Sequence, residues 1–298
     1  PAQSHLYGPL PEVLAEESGG TLSATLLGTE DVTLMQMKDA LQSGLVEVGY
    51  LLAVYFAGDL PSMSLGGELA LSGRDPQVMA AAMTEFIVTC APCQAELQKF
   101  GVVFLGSGSS DVYVLLTNKP VHYKADLAGM RLRSGGAPFS RWAENFGAVP
   151  VNVSVNDTFE SMSQGVIDGS MASVADLLSF RLVELAKAVT VIPLGTYHAT
   201  SDFTVSNAAW SSMSVEERQA LARAANRLNA VFTNRWGAEM PAEARAAAEE
   251  AGIEFIEPDP DFLAESEAFA ADDAATAARI ARDDLVIADA DEKVARFQ

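Results

Sequence analysis

The stretch of sequence that decides the fold reads DLAGMRLRSGG at residues 126–136. From Met130 to Arg133, apolar and basic side chains alternate with the period of a β-strand, so Arg131 and Arg133 are predicted to point to one face. Two glycines then end the strand directly before a predicted helix at 139–146. This pattern places the Arg133 guanidinium beside the free backbone N–H groups of a helix start, and both kinds of donor bind anions.

The densest basic cluster of the chain surrounds this strand, in a protein of 298 residues with 19 Lys and Arg against 40 Asp and Glu. Its members are Lys119, Lys124, Arg131, Arg133 and Arg141. One interpretation is a solvated surface that balances nearby acids. The other is an anion site, because a guanidinium grips a carboxylate or sulfonate through two parallel hydrogen bonds.

Outward from this strand, helical and strand-like hydrophobic periods alternate along the chain. Helices are predicted at 11–17, 33–43, 75–100 with a break near Pro92, 139–146, 214–235 and 239–250, followed by an Ala- and Asp-rich, solvated helical stretch from residue 260. Strands are predicted at 45–52, 102–105, 112–116, 130–133, 149–153, 202–207 and 253–256. This alternation predicts an α/β protein with largely parallel sheets, whose ligands bind beyond the carboxyl ends of the strands.

Two segments of the chain resemble each other, residues 38–47 and residues 159–168, with Gly44 and Gly165 in register. Each segment ends a helix, caps it with glycine, enters a strand through two aliphatic residues and then has an acid. The likeness indicates either two similar lobes that present strand ends to a shared cleft, or the helix–glycine–strand pattern common to α/β proteins.

Composition excludes several functions. The net charge of −21 argues against a nucleic-acid surface and against docking on anionic lipid, since both need a basic face. No run of about eighteen apolar residues occurs, so no bilayer-spanning helix is predicted. Zinc-site, cofactor-binding and nucleophile-elbow motifs are all incomplete, so the sequence predicts no metal, no cofactor and no enzymatic activity. The chain begins at Pro1 without a charged and then apolar leader, which fits an exported protein whose signal has been removed, or a trimmed chain.

Several motifs, in order, resemble the DctP-type solute-binding proteins of TRAP (tripartite ATP-independent periplasmic) transporters. The similar segments are 116–121 to the family's lTnkrPv, 126–133 to its DLkGlkiR, 146–150 to its lGatPv and 163–169 to its lqtGvvDG. Further likenesses follow at 196–198, 205–210 and 214–218, so the resemblance covers residues 8–240. None of these motifs is a catalytic signature.

The resemblance implies a two-lobed periplasmic binding protein fold of the type II-like class. It also implies mixed sheets flanked by helices, a ligand cleft between the lobes and a long helix that crosses both. Lobe I is expected at residues 1–111 with 200–238 returning to it, and lobe II at 112–199 with 239–298 returning to it. The implied function is capture of a small organic anion in the periplasm and its delivery to the membrane subunits of a TRAP permease.

Arg133 matches the family arginine that pairs with the ligand carboxylate, but two other matched positions depart from the common pattern. Tyr113 stands where many members have a second arginine, and Met171 and Ala172 lie in the stretch where an asparagine often binds the ligand. These departures predict a less polar pocket for a monocarboxylate or sulfonate with an apolar end, rather than for sialic acid or a simple dicarboxylate.

Enclosure must add to the binding energy, because a charge-assisted hydrogen bond contributes about 1.5–3 kcal/mol and micromolar affinity needs about 8 kcal/mol. Besides Arg133, Tyr113 and Met171, the side chains predicted to contact the ligand are aromatic or polar residues near the expected cleft: Tyr50, Tyr55, Phe180, Phe203, Tyr197, His198, Ser4 and His5. Each of the wall aromatics is alternatively an ordinary core residue.

Cys90 and Cys93 form a CAPC motif with three interpretations. A thioredoxin-like redox motif follows a strand, whereas residues 78–86 before this one are predicted to be helical. A structural disulfide is favoured over free thiols in an exported protein, since residues three apart in a helical turn lie near bonding distance. Two other functions therefore stay open: a thiol–disulfide redox protein that uses these cysteines, and a sensory binding subunit of the same fold.

Overall fold

The computed structural model describes residues 2–28, 30–198 and 202–298. In this part of the chain, β-strands form a small sheet and a large sheet. The strands are β1 (Val48–Leu51), β2 (Val102–Phe104), β3 (Val114–Thr117), β4 (Arg131–Ser134), β5 (Val149–Asn152), β6 (Gly169–Ala172), β7 (Ala188–Thr190), β8 (Asp202–Ser206) and β9 (Glu254–Ile256).

Helices cover both sheets. In chain order they are α1 (Leu10–Ser18), α2 (Met37–Ser43), α3 (Pro61–Glu68), α4 (Pro76–Thr89), α5 (Ala91–Phe100), α6 (Ala137–Asn145), α7 (Thr158–Ser163), α8 (Asp176–Ser179), α9 (Asn207–Ser212), α10 (Val215–Asn234), α11 (Met240–Glu250), α12 (Pro260–Arg279) and α13 (Ala290–Ala295). The predicted break near Pro92 falls at Cys90, where α4 and α5 meet at an angle of 79°.

The small sheet has the strand order β1-β8-β2, and β8 is antiparallel to both neighbours. The prediction of largely parallel sheets is wrong here. The reason is topological, because β8 comes from a later part of the chain and runs between β1 and β2 in the opposite direction.

The large sheet has the order β5-β4-β6-β3-β7-β9 and is mixed. Strand β4 is parallel to β5 and β6, and β7 is parallel to β9, whereas β3 is antiparallel to β6 and β7. Two sheets flanked by helices are the predicted two-lobed α/β architecture.

One continuous helical run crosses from one sheet to the other. Helix α10 packs against α1 beside the small sheet, a π-helical turn at Arg235–Glu239 follows, and α11 packs against α8 beside the large sheet. Ser214 caps the start of α10, and its side chain and that of Glu217 bond each other's backbone N–H groups. The predicted long helix that crosses both lobes is confirmed.

The end of the chain departs from the predicted lobe boundaries, which placed all of 239–298 in lobe II. Strand β9 is in the large sheet, but Ala274, Ala277 and Phe297 pack in the core of lobe I, where the Phe297 ring lies 6.0 Å from that of Phe86. Small alanine side chains let α12 approach closely, so a stretch predicted to be solvated buries one face.

Gly44 and Gly165 occupy equivalent places in the two lobes. Each ends a helix in the left-handed conformation, with φ of 77° and 67°. The chain then enters β1 and β6, respectively, so the two similar segments share one local structure.

Among the described residues, no single helix is both long and apolar enough to cross a membrane, although the bent pair α4 and α5 meets that criterion jointly.

Candidate functional site

Four side chains meet at one edge of the large sheet because of the directions of its central strands. Strands β4 and β6 are parallel, so Arg133 near the end of β4 lies at the same edge as Asp176, which follows β6. Strand β3 is antiparallel to β6 and to β7, so Tyr113 just before β3 and Tyr197 after β7 also lie at this edge. The edge carries one cation, one acid and two phenols.

A cavity of about 880 Å³ lies between this edge and lobe I. Besides the four residues at the sheet edge, lobe II contributes Val155, Asn156 and Phe180 to its wall. The remaining wall is mostly apolar and includes Tyr7, Leu22, Tyr50, Tyr55, Leu221, Phe232 and Trp236. Its volume lies within the range of small-molecule sites, about 300–1,000 Å³.

Arg133 is 3 % exposed and lines the cavity. Its Nε donates a hydrogen bond to the Val153 carbonyl oxygen at 3.2 Å, and within the described ranges no other protein acceptor binds the guanidinium. Gly135 allows this placement, because a Cβ at that position would lie 3.2 Å from Nη1. A buried charge without a counter-ion costs several kcal/mol, so this geometry favours an anion in the cavity.

The backbone donors expected beside Arg133 do not face the cavity. Ser134, Gly135 and Gly136 are outside its wall, and the Gly136 N–H lies 3.4 Å from Ser134 Oγ, which accepts from it. Pro138, in the first turn of α6, has no N–H to donate. The predicted anion site combined the Arg133 guanidinium with backbone N–H groups at the helix start. The backbone part of this prediction is wrong, and the donors that face the cavity are side chains.

Stacked aromatic rings form a fixed face beside Arg133. The Tyr113 ring centroid lies 5.3 Å from that of Phe139 and 5.4 Å from that of Tyr197, with interplanar angles of 25° and 26°. The Tyr197 hydroxyl donates a hydrogen bond to the Gly135 carbonyl oxygen at 3.0 Å. This stack holds both tyrosines in position for a flat apolar group to pack against them.

Aromatic rings also form the opposite wall. Tyr7 stacks on Phe203 with ring centroids 5.4 Å apart and meets Tyr50 edge-on at 6.2 Å. Phe232 near the end of α10 and Trp236 in the π-helical turn that follows have ring centroids 5.3 Å apart. The cavity therefore has aromatic surface on both sides, and Arg133 and Asp176 lie together at one end.

Asp176 is a cavity residue that sequence reasoning missed. Its side chain is buried in the cavity wall, and Oδ1 has no hydrogen-bond partner among the described residues. Burial raises the pKa of this carboxyl to about 6, against the opposing effect of the Arg133 guanidinium. The available signal was a lone acid in the otherwise apolar and small-residue run 173–178.

Asp111 is a second buried acid, but it lies outside the cavity wall. Its Oδ2 accepts a hydrogen bond from the Val174 N–H at 3.3 Å. Burial raises its pKa to about 8, so at neutral pH this carboxyl is mostly protonated. Asp111 therefore supports the loop that leads to Asp176 without facing a ligand.

The residues predicted to contact the ligand fall into two groups. Those in the cavity wall are Arg133, Tyr113, Tyr197, Tyr50, Tyr55 and Phe180. Those outside it are Met171, His198, Phe203, Ser4 and His5. Ligand contact by the first group stays a prediction, whereas the second group does not reach the cavity in this structure.

The structure shows where the residues of the second group lie instead of in the cavity wall. Met171 is fully buried in the core on β6, and Phe203 lies behind Tyr7. Ser4 is exposed, and His5 lines a separate, smaller groove.

His198 is a buried structural residue. Its Nδ1 lies 2.8 Å from the Thr196 carbonyl oxygen, and its Nε2 lies 3.1 Å from that of Gly66. Its ring centroid is 5.1 Å from that of Phe297. Burial lowers the pKa of His198 to about 4, so the ring is neutral at pH 7 and joins three distant parts of the chain.

Arg131, two residues before Arg133, has a different role. Its Nε and Nη2 donate to Asp168 Oδ2 and Oδ1 at 3.0 and 2.8 Å, and these bonds lower the pKa of Asp168. Arg131 is therefore already paired and lies outside the cavity wall. In the basic cluster, Lys124, Arg131 and Arg141 each pair with a carboxylate, whereas Arg133 lines the cavity without a salt bridge to the described residues.

Cys90 and Cys93 form a disulfide between α4 and α5, with both residues buried in the core of lobe I. The structural disulfide is confirmed. The redox alternative does not fit, because such a protein needs a partly exposed, activated thiolate. Within the described part of the chain, no group of three or more His, Cys, Asp or Glu side chains is arranged to hold a metal ion.

The fold is a two-lobed α/β architecture with a cavity of small-molecule size between the lobes. Residues 9–278 match the model of the bacterial extracellular solute-binding proteins, family 7 (DctP). The chain belongs to this family, which confirms the resemblance found in its motifs.

Solved structures share the fold. A TRAP periplasmic solute-binding protein from Bordetella bronchiseptica, with bound (R)- and (S)-mandelate, is 23 % identical with a TM-score of 0.85, over 99 % of this chain and 92 % of that one. A TRAP solute-binding protein from a marine metagenome, specific for aromatic acid ligands and in complex with metahydroxyphenylacetate, is 22 % identical with a TM-score of 0.82, over 97 % and 91 %. At these identities the likeness shows the fold.

A curated solute-binding protein of Albidiferax ferrireducens is 25 % identical over 162 residues. The match spans 53 % of this chain and 46 % of that protein, or about half of each.

Proposed function

We propose that this chain is the periplasmic binding subunit of a TRAP transporter, which captures a small monocarboxylate with an aromatic or other apolar end and delivers it unchanged to a membrane permease. The observation that carries this proposal is the buried Arg133 guanidinium, which lines the cavity and forms no salt bridge with a described carboxylate. Two of its nitrogens, Nη1 and Nη2, are available for a carboxylate.

The composition of the wall supports the apolar end of the ligand. A phenyl ring that buries about 150 Å² of apolar surface gains about 4 kcal/mol of binding free energy. Two charge-assisted hydrogen bonds add about 1.5–3 kcal/mol each, and the sum corresponds to micromolar affinity. The stacked Tyr113 and Tyr197 rings on one side and Tyr7 and Tyr50 on the other offer that contact. Two structurally similar proteins carry aromatic acids, which agrees with this choice.

The charges of the cavity disfavour a second carboxylate. Among the described residues of the wall, Arg133 is the only Lys or Arg, and Asp176 shares its end of the cavity. A dicarboxylate would bring one negative charge to Arg133 and leave the other without a cation, a cost that grows with burial.

Transport would use the two lobes as a clamp. A ligand that contacts the sheet edge of lobe II and the aromatic wall of lobe I binds best when the lobes are closed, so it shifts the population toward the closed form. The permease would then recognise that form.

A thermal-shift screen tests the proposal. We expect phenylacetate, mandelate and phenylmethanesulfonate to raise the melting temperature, by about 5 °C at a concentration a hundred times Kd, while malonate and glucuronate leave it unchanged. If none of these acids shifts the melting temperature at 10 mM, capture of small organic acids is refuted. If malonate or glucuronate gives the largest rise in melting temperature, the proposal that the ligand is an aromatic monocarboxylate is refuted.

A further inference from the structure

Asp176, an acid of the cavity wall, has one unsatisfied carboxyl oxygen. Asp176 is 1 % exposed, and its Oδ1 makes no hydrogen bond to the described residues. A carboxyl oxygen that has lost water without gaining a donor costs free energy in the empty protein. A ligand that brings a donor to this carboxyl recovers that cost, whereas a ligand without one leaves it in place.

Asp176 lies close to the cation that binds the ligand in the proposed function. Strands β4 and β6 are neighbours in the sheet, about 4.8 Å apart, and the chain turns from β6 through 173–175 into Asp176. The Arg133 charge acts on the Asp176 carboxyl, but the two side chains form no direct salt bridge. Both side chains line the same cavity.

Tyr113 lines the same end of the cavity as Arg133 and Asp176. Burial raises the pKa of its phenol, and the Asp176 charge raises it further. Arg133, Tyr113 and Asp176 thus surround one end of the cavity. A carboxylate held by Arg133 places its adjacent carbon, and any substituent there, next to Asp176.

We propose, given the proposed function, that Asp176 selects acids which carry a hydrogen-bond donor, a hydroxyl or an ammonium group, on the carbon next to the carboxylate. The donor bonds the Asp176 carboxylate while Arg133 holds the acid. A site with a buried group that expects a partner rejects the analogue that lacks it more strongly than an apolar pocket rejects a missing methylene.

Three probes with the same carbon skeleton test this selection: phenylacetate, mandelate and phenylglycine, which differ in having a hydrogen, a hydroxyl or an ammonium group on that carbon. Their Kd values are measured by calorimetry at pH 7.5, where the Asp176 carboxyl is ionised and accepts hydrogen bonds. We expect the tighter enantiomer of mandelate or phenylglycine to bind at least about ten-fold more tightly than phenylacetate, the effect of one charge-assisted hydrogen bond.

Two substitutions connect the selection to the residue. Asp176→Leu has a similar shape without an acceptor, and we expect its mandelate-to-phenylacetate affinity ratio to fall to within about two-fold of unity, mainly through weaker binding of mandelate. Asp176→Asn keeps an acceptor without the charge, so its ratio lies between those of the wild type and the leucine variant. Asp273→Asn, which changes a buried acid of α12 that pairs with Arg141 outside the cavity wall, is the matched control and keeps the wild-type ratio.

The outcomes separate this inference from the proposed function. If all three probes bind the wild type with equal affinity, selection by Asp176 is refuted while capture of an aromatic acid stands. The same holds if Asp176→Leu and Asp176→Asn both keep the wild-type ratio. If the wild type binds none of the probes, the proposed function and this inference fail together.

Discussion

Replacing Arg133 by lysine keeps the positive charge and removes the planar fork of donors. In the structure Nε is held by the Val153 carbonyl oxygen at 3.2 Å, which leaves Nη1 and Nη2 to grip both oxygens of a carboxylate. An ammonium on a shorter side chain reaches one oxygen at best. The loss of one charge-assisted hydrogen bond costs about 1.5–3 kcal/mol, which corresponds to binding weaker by about 10- to 150-fold.

Calorimetry with mandelate measures this loss, and Arg131→Lys is the matched control. Arg131 is on the same strand, two residues earlier, but its fork is already bonded to Asp168 outside the cavity. We expect the control to keep the wild-type Kd within three-fold, and the ligand-free Arg133→Lys protein to melt within about 3 °C of the wild type. A folded Arg133→Lys protein that binds within two-fold of the wild type would refute the assignment, as would equal losses in both variants.

Three further predictions concern buried groups outside the cavity wall. Replacing Cys90 and Cys93 by alanine should lower the free energy of unfolding in urea by about 2 kcal/mol, the loop-closure effect of a short ring, with Kd unchanged; a large change in Kd would contradict this separation. The pKa of His198 is about 4 in the folded protein and about 6.5 when unfolded, so the stability that its neutral ring provides above pH 6.5 falls by about 3 kcal/mol toward pH 4. The advantage of the wild type over His198→Gln in urea unfolding should shrink by that amount, and a constant difference would contradict it. Asp111 has a raised pKa of about 8, so the wild type loses stability as pH rises from 4 to 8; Asp111→Asn should be more stable at pH 7 by about 4 kcal/mol and equal at pH 4, and equal stability at both pH values would refute the assignment.

Local patterns predicted much of the fold. The glycine at the end of α2, the capping pair Ser214 and Glu217, and the alternation around Arg133 each act within a few residues, so the sequence shows them directly. The break between α4 and α5 follows from Pro92 in the same way, since proline disrupts a helix at the preceding turn.

Contacts between residues far apart in the chain could not be predicted from the sequence. Strand β8 enters the small sheet between two earlier strands, and no local signal marks that insertion. The stretch from residue 260 is predicted to be solvated because it is rich in alanine and aspartate, yet Phe297 is buried in the core of lobe I. His198 and Phe203 are close in sequence to Tyr197, which lines the cavity. Their own side chains are buried in the core instead.

The sequence predicted the cation of the candidate site, Arg133, but not its acid, Asp176. Arg133 is identified by its strand, the glycines after it and the family motif. Asp176 belongs to a residue type that is usually exposed, and only the turn after β6 brings it into the cavity wall beside Arg133. Tyr113 was noticed as a departure from the family pattern, whereas its stacking on Phe139 and Tyr197 needed the three-dimensional structure.

The most direct test of the account is a crystal structure of the protein with mandelate bound. We expect the carboxylate of mandelate within about 3 Å of both Arg133 Nη nitrogens, with the phenyl ring between the tyrosine walls of the two lobes. A carboxylate bound to another cation, with Arg133 still unpaired, would contradict the central claim.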